Sequence, residues 1–349
     1  MNYYYLDAVK WQHSQALYHA MAYLGREALI ILRPATPYVC IGYHQDAQQE
    51  IDLDFAAQQG IPVFRREVGG GAVYLDGAQL FFQFILDPQR EGMPSTVAGF
   101  YQKYLQPVIA TFRDFGVPAE YRPVNDVIAG SRKISGTGAA QIGERMVLVG
   151  NFIQDFNYEM MSKLLRVPDE KFRDKVYKTM SENLTTFLRE TGRAPANDDL
   201  KNALIKHCEP LLGEMEPRVP DAELLTKADE LIAEMHTPEW LLANDKRRPK
   251  AAEVKISEGV YVIQKVAKLP GGLVRITAVS QEGVLHDAHI SGDFFFFPSQ
   301  KLPELEAALE GQPLEADALA RTVSGFYQRN TIDSPGILPQ DWVSVLVGQ

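Results

Sequence analysis

Two stretches of this 349-residue chain carry residue types that can do chemistry together. One is Arg65-Arg66-Glu67-Val68-Gly69-Gly70-Gly71-Ala72-Val73-Tyr74, two arginines beside a glycine run. The other is Gly130-Ser131-Arg132-Lys133-Ile134-Ser135-Gly136-Thr137-Gly138, one lysine in a turn of small hydroxyl and glycine residues. Glycines lack Cβ atoms, reach positive φ and let a ligand touch bare backbone. Their successive N–H groups can form an anion nest. At the end of a strand, alternation sends Arg65 and Arg66 to opposite faces, one toward a bound anion and one into the sheet. Lys133 adds a fixed cation. Together the two stretches suit an adenylate, and so the activation of a carboxylic acid with ATP. Taken singly they are weak signals: a glycine run is often a plain turn, and a turn lysine is usually neutral to function. Asn125-Asp126, just upstream, offers a donor and a carboxylate for Mg²⁺, and reads equally well as a turn-forming pair. Neither GxxxxGK[ST] nor GxGxxG occurs, so this is not a Walker A loop or a dinucleotide fingerprint.

Several elements must position these residues. Apolar spacing predicts a helix over 7–24 and short strands over 28–32 and 38–42, parted by Pro34 and Pro37. A helix over 53–59 ends at Gly60, and a strand over 61–64 delivers the chain to the arginines. Strands over 72–75 and 79–86 flank Asp76-Gly77, a hairpin signal. A long helix is expected over 97–114, with Phe100, Tyr104, Val108 and Phe112 spaced by four. Strands over 126–129 and 146–152 bracket the lysine turn. Residues 157–236 read as mostly helical. The polar, basic stretch Asn244 to Lys250 is the best linker. Strands over 254–266 and 274–279 surround Pro270-Gly271-Gly272, and helices follow near 301–310 and 314–327. Strands and helices mix without regular βαβ alternation, so the class is α+β.

The bulk numbers narrow the function. Lys and Arg total 35 against 45 Asp and Glu, a net charge of −10. An acidic chain is a poor general binder of nucleic acid or anionic membrane, both of which want a basic footprint. Two cysteines, Cys40 and Cys208, form no CxxC pair and no disulfide framework. The N-terminus lacks a signal-peptide pattern, and no apolar run approaches the roughly 18–20 residues of a membrane span. A cytoplasmic, reduced setting is the expectation.

The string RREVGGGAVYLD resembles the RR-x-S-GGG-AV-[YF]-HD motif of lipoate–protein ligases, and SRKISGTGAA resembles their K-[IV]-SG-[ST]-A motif. Ile41-Gly42-Tyr43-His44-Gln45 is similar to the family's IG-x-x-Q strand, and the intervening NDV also fits. The tail, with GDFFFFP at 292–298 followed by LPELEAALEG, resembles their small accessory domain. The resemblance implies a class II aminoacyl-tRNA synthetase/biotin synthetase-like mixed sheet with flanking helices, plus a small α+β accessory domain. It implies a catalytic domain over 1–243, a linker over 244–252 and the accessory domain over 253–349. It implies two steps: lipoate and ATP give lipoyl-AMP, and a lysine ε-amine on a lipoyl domain, H protein or H-like carrier takes the lipoyl group. Lys133 is the implied catalytic residue. Arg66, Gly70, Gly71, Ala72, Val73, Tyr74, Asn125, Asp126, Lys133, Ser135, Gly136 and Thr137 are the implied nucleotide cradle, with Asp126 on Mg²⁺. Val68, Val73, Ile134 and Phe81 to Phe84 are candidates for the lipoyl slot, and equally for core. The accessory domain is expected to close over the adenylate and swing away for the carrier. Lys246-Arg247-Arg248 is a candidate carrier contact.

Three positions depart from the family pattern: Val68 for the usual Ser, and Leu75 and Val149 for the usual histidines. Those histidines cannot serve as a base here, and His44 is the nearest other one to the first motif. Three rivals remain: an octanoyl or lipoyl transferase on the same fold, a biotin ligase, and a non-catalytic lipoate-binding homologue. Cysteine-dependent transferases typically show GGRAV, whereas this chain has Gly71 in the third place and no cysteine after the lysine motif until Cys208.

Overall fold

The computed structural model describes residues 1–245 and 260–348. Its strands, in chain order, are β1 (Asn2–Val9), β2 (Ala28–Pro34), β3 (Tyr38–Ile41), β4 (Val63–Arg65), β5 (Val73–Leu75), β6 (Gln79–Leu86), β7 (Ala119–Arg122) and β8 (Asp126–Ala129). They continue with β9 (Arg132–Ser135), β10 (Thr137–Ile142), β11 (Arg145–Ile153), β12 (Glu216–Arg218), β13 (Val260–Leu269), β14 (Gly272–Gln281) and β15 (Val284–Asp293). Among the described residues, β10, β11, β6, β2, β1 and β12 form, in that order, a six-stranded mixed sheet. Strand β6 (QLFFQFIL) lies inside it between β11 and β2 and is buried along its whole length, which suits its aromatic and branched residues. The helix α1 (Trp11–Tyr23) packs across this sheet. Strands β3, β4 and β5 form a second, small sheet; β7, β8 and β9 form a third.

The helix expected over 7–24 starts only at Trp11, because residues 2–9 pair with β2 and β12. The long helix breaks into Val97–Tyr104 and Gln106–Asp114. Pro107 has no N–H to donate back one turn, and the break falls just before it. Asp76-Gly77 does not close a hairpin, since β5 and β6 belong to different sheets. Lys133 sits on β9 itself; the turn before it is made by Gly130, at φ +60°, and Ser131. A third C-terminal helix, Pro339–Val347, joins Leu302–Leu309 and Ala316–Asn330, which match the expected pair. Most of the linker, the Lys246-Arg247-Arg248 patch and the start of the strand expected from 254 lie outside the described residues. Asn244 and Asp245, at the head of that linker, are tied down: Asn244 Nδ2 donates to the Tyr43 carbonyl at 2.6 Å, and Asp245 accepts from the amides of Ala47 and Gln48, each at 2.8 Å.

The C-terminal unit is the antiparallel sheet β13-β14-β15 backed by the three helices. Its own core gathers Val274, Ile276 and Ala278, which alternate inward along β14, with Trp342 and the helix leucines. Phe295 and Phe297, just past β15, leave that core and join the hydrophobic cluster of the main sheet. Around them the two units are stitched by backbone and charge. The Gly292 amide donates to the His44 carbonyl at 2.9 Å, and Arg275 pairs with Glu50. His289 Nε2 lies 3.3 Å from Asp46 of the first unit and its Nδ1 lies 3.3 Å from Glu306 of the second, with all three buried. Ser291 Oγ donates to the other oxygen of Asp46 at 3.3 Å.

Burial alone would lower the pKa of His289, but the two carboxylates outweigh it and raise the imidazole above its ordinary value. A raised folded-state pKa adds stability that is fully present below the unfolded value, about 6.5, and is lost as pH rises through the folded one. The thermal midpoint should therefore fall from pH 6 toward pH 9, and His289→Gln should flatten that slope. An unchanged slope in the variant, read by scanning calorimetry, would contradict the assignment.

Candidate active site

The glycine loop is held by close backbone contacts. A Cβ on Gly42 would sit 1.8 Å from the Gly70 carbonyl oxygen, and Gly70 itself lies at φ +93°. Both positions therefore require glycine. The arginines divide their work as alternation implies. Arg65 is 1% exposed; its guanidinium donates to the carbonyls of Tyr43, Gln45 and Leu241 and lies 3.5 Å from Asp245. Arg66 turns to the other side, where its NH2 group donates to the carbonyls of Gly69 at 2.8 Å and Gly71 at 2.9 Å. Arg66 thus clamps the loop by its carbonyls while lining the cleft beside it. The Gly70 amide donates to the Phe294 carbonyl, at 3.1 Å, so one amide of the expected nest is taken by the accessory unit.

A cleft of about 400 Å³ opens beside this loop. Arg66, Gly70, Gly71, Ala72, Val73, Asn125, Asp126, Lys133, Gly136 and Thr137 all line it. Two predicted residues do not. Tyr74 points into a separate apolar cluster and meets the Phe156 ring edge-on, because its neighbours Val73 and Leu75 take the cleft-facing side of β5. Ser135 is fully buried, its hydroxyl donating to the Asn151 carbonyl at 2.6 Å. Of the proposed slot residues, Val73 and Phe81 line the cleft, while Val68, Ile134, Phe82 and Phe84 are core. Leu75 and Val149, at the family's histidine positions, both line it. His44 lies stacked on Phe294 at 5.0 Å, buried at the joint between the units and outside the cleft wall.

At the polar end, Lys133 Nζ lies 3.0 Å from Asp126 Oδ1, and Arg122 donates to Oδ2 at 2.7 Å. Burial would raise the Asp126 carboxyl, but Lys133 and Arg122 hold it below the usual carboxylate range. Asn125 Nδ2 donates to the Thr137 carbonyl at 2.6 Å, which ties the segment before β8 to the loop after β9. Asn151 completes the floor: its Oδ1 accepts from the Gly136 amide at 2.8 Å and its Nδ2 donates to Gln79 at 2.7 Å.

Sequence reasoning missed much of the wall. Gln15 and Tyr18 come from α1, Gln83 from β6, and Lys268, Pro270, Gly271, Gly272, Asp293 and Phe295 from the accessory unit. The glutamines interrupting an otherwise apolar strand, Gln79 and Gln83, were a readable signal. The accessory residues gave none, since only tertiary packing brings them to the glycine loop.

Comparison with known proteins now has a geometry to meet. Residues 7–209 match the lipoyl protein ligase A/B catalytic domain, and residues 260–343 match the bacterial lipoate protein ligase C-terminus. Lipoate-protein ligase A subunit 1 of Thermoplasma acidophilum is 33% identical over 208 residues, 56% of this chain and 75% of that protein. A solved structure of the bipartite lipoate protein ligase of Thermoplasma acidophilum, studied with its E2 lipoyl domain, superposes with a TM-score of 0.60 at 27% identity, covering 69% of this chain and 95% of that one. Lipoate-protein ligase A solved with bound ATP gives 0.57 at 25% identity, over 69% and 98%. The fold and its two matched regions define the class of ligases that load lipoate onto proteins. The chain belongs to the lipoyl protein ligase A/B catalytic domain family and is a lipoate–protein ligase.

Two measurements check the geometry. Lys133→Met removes the cation that lowers the Asp126 carboxyl most, so that carboxyl should titrate at higher pH, visible by carboxyl-carbon NMR; an unmoved titration would dissolve the pair. Gly70→Ala should lower stability by roughly 1–2 kcal/mol or more, the cost of a side chain at positive φ. Full retention of stability would place the loop otherwise.

Proposed function

We propose that the chain activates free lipoate with ATP to lipoyl-AMP and then transfers the lipoyl group to a lysine on a carrier domain. The observation that carries this reading is the position of Lys133. It stands in one cleft with the glycine loop at its polar side and Tyr18, Leu75, Phe81 and Val149 at its apolar side. In the first step a lipoate carboxylate oxygen attacks the α-phosphorus and pyrophosphate leaves. In the second, a neutral carrier amine attacks the acyl carbon, the tetrahedral oxyanion collapses, and AMP leaves with the acyl C–O electron pair.

An ammonium has three donors. One serves Asp126, which fixes the side chain; the others face the charge that develops on the phosphate and acyl oxygens. Preorganised charge of this kind is a large catalytic term. Arg66 acts through the loop it clamps. With Leu75 and Val149 on the wall, those positions supply no base, so transfer rests on charge stabilisation and proximity. ATP use is supported by the relative solved with ATP, and an E2-type lipoyl domain as carrier by the archaeal system. We keep 1–243 and 253–349 as working units joined by a linker over 244–252, a division supported by the separate core of the C-terminal sheet and its helices. Asp126 is a poor fit to Mg²⁺, because Lys133 and Arg122 already flank both its oxygens with positive charge. We therefore assign the metal no ligand from this chain.

The cysteine-dependent transferase reading needs a thiolate. Burial pushes the thiols of both Cys40 and Cys208 up, which favours the inert protonated form. Lys133→Ala should cut lipoate-dependent pyrophosphate release by roughly 10²–10³-fold in kcat/KM, the scale set by loss of an oxyanion-stabilising group. An undiminished rate in the folded variant would sink Lys133 as the catalytic residue.

A further inference from the structure

The cleft wall takes Gln15 and Tyr18 from α1 and Phe81 and Gln83 from β6, and Gln83 is a polar group that the reaction does not explain. Phe81 and Gln83 alternate onto one face of β6, and Val149 stands opposite Gln83 on β11. Gln83 lines the cleft and is 1% exposed. Its Nε2 donates to the Ser14 carbonyl of α1 at 2.7 Å. A carbonyl only accepts, so this bond fixes which end of the amide is nitrogen and turns Oε1 away from Ser14. Oε1 then meets no donor among the described residues. The polar neighbours on the same wall are committed elsewhere: the Tyr18 hydroxyl donates to Gln15 Oε1 at 3.1 Å, and Gln15 Nε2 donates to the Tyr38 hydroxyl at 2.6 Å. A buried acceptor is expensive to leave without a partner.

We infer that Gln83 reads the far end of the acyl chain and favours an acid carrying a hydrogen-bond donor there. Granted the ligase reading on which this rests, that acid is the reduced, dithiol form of lipoic acid, preferred over the cyclic disulfide and over octanoic acid. The dithiol offers S–H donors, which are weak but present. The disulfide ring and the alkyl chain offer none, and seating either one leaves Oε1 buried without a partner. Pockets built to pair a substrate donor reject analogues that lack it. The surrounding Leu75, Phe81, Val149 and Cys40 supply the apolar remainder of the slot.

The test is pyrophosphate release from ATP with four acids at equal concentration: dihydrolipoate kept reduced by a phosphine, lipoate, octanoate, and the S,S-dimethyl derivative of dihydrolipoate, which keeps the sulfurs and loses the donors. Wild type should favour dihydrolipoate over each of the others by roughly two- to tenfold in kcat/KM, the range of one net hydrogen bond. Gln83→Leu should bring the four values together by lowering dihydrolipoate and sparing octanoate. Equal wild-type rates for the dithiol and its dimethyl derivative would overturn the inference without recourse to a variant. A Gln83→Leu loss that is the same for every acid would also overturn it, since that is the signature of a purely structural bond to Ser14. Release with no acid at all would overturn the ligase reading and take this inference with it.

Discussion

Backbone pressed against backbone at the glycine loop is the constraint on which the rest of the structure depends. Gly42 and Gly70 touch without side chains, and on the loop's other side the Phe294 carbonyl and the Phe295 ring come down onto Gly69 and Gly70. The loop is therefore a joint between two units as well as one wall of a cleft. Side-chain bulk at these positions would separate the strands that hold Arg65 and Arg66 and would lift the accessory segment from its seat. The same joint brings Lys268, the Pro270 to Gly272 turn and Asp293 to the cleft mouth. The docking of the accessory unit therefore shapes the cleft wall directly.

Electrostatics is local here. The chain carries net charge −10, yet the cleft gathers Arg66, Lys133 and Lys268. Asp126 orients one of these cations and is itself held ionised by two. A carboxylate in that position fixes the Lys133 side chain against the cleft wall. His289, buried between Asp46 and Glu306 with Ser291 beside it, ties the units together through charge. Such buried groups are costly unless paired, so the docked arrangement is specified by their mutual satisfaction as much as by apolar area.

The two chemical motifs were legible in the sequence because glycine, arginine and lysine each leave a compositional mark at short range. The α+β class, the largely apolar strand β6 and the accessory helices at Leu302–Leu309 and Ala316–Asn330 could be read from periodicity for the same reason. The misreadings at 2–9 and at Asp76-Gly77 share a cause, which is that sheet partnership is non-local. Residues 2–9 became a strand because β2 and β12 flank them. Asp76-Gly77 became a link between sheets. Tyr74 belongs to the glycine motif by sequence but turns away from the cleft, since a strand shows only alternate residues to one face. Gln15 and Tyr18 were hidden because a polar residue in an apolar element looks like an interruption until the cavity beneath it is seen.

The central claim is that this cleft makes a mixed anhydride of an acid and AMP and holds it for a carrier. Native mass spectrometry of the full chain incubated with lipoate and ATP, without any carrier protein, tests it most directly. The account predicts a complex of unmodified protein with lipoyl-AMP that discharges to AMP when a lipoyl domain is added. A covalent acyl-enzyme formed at Cys40 or Cys208, or a bound lipoate that never acquires AMP, would contradict it.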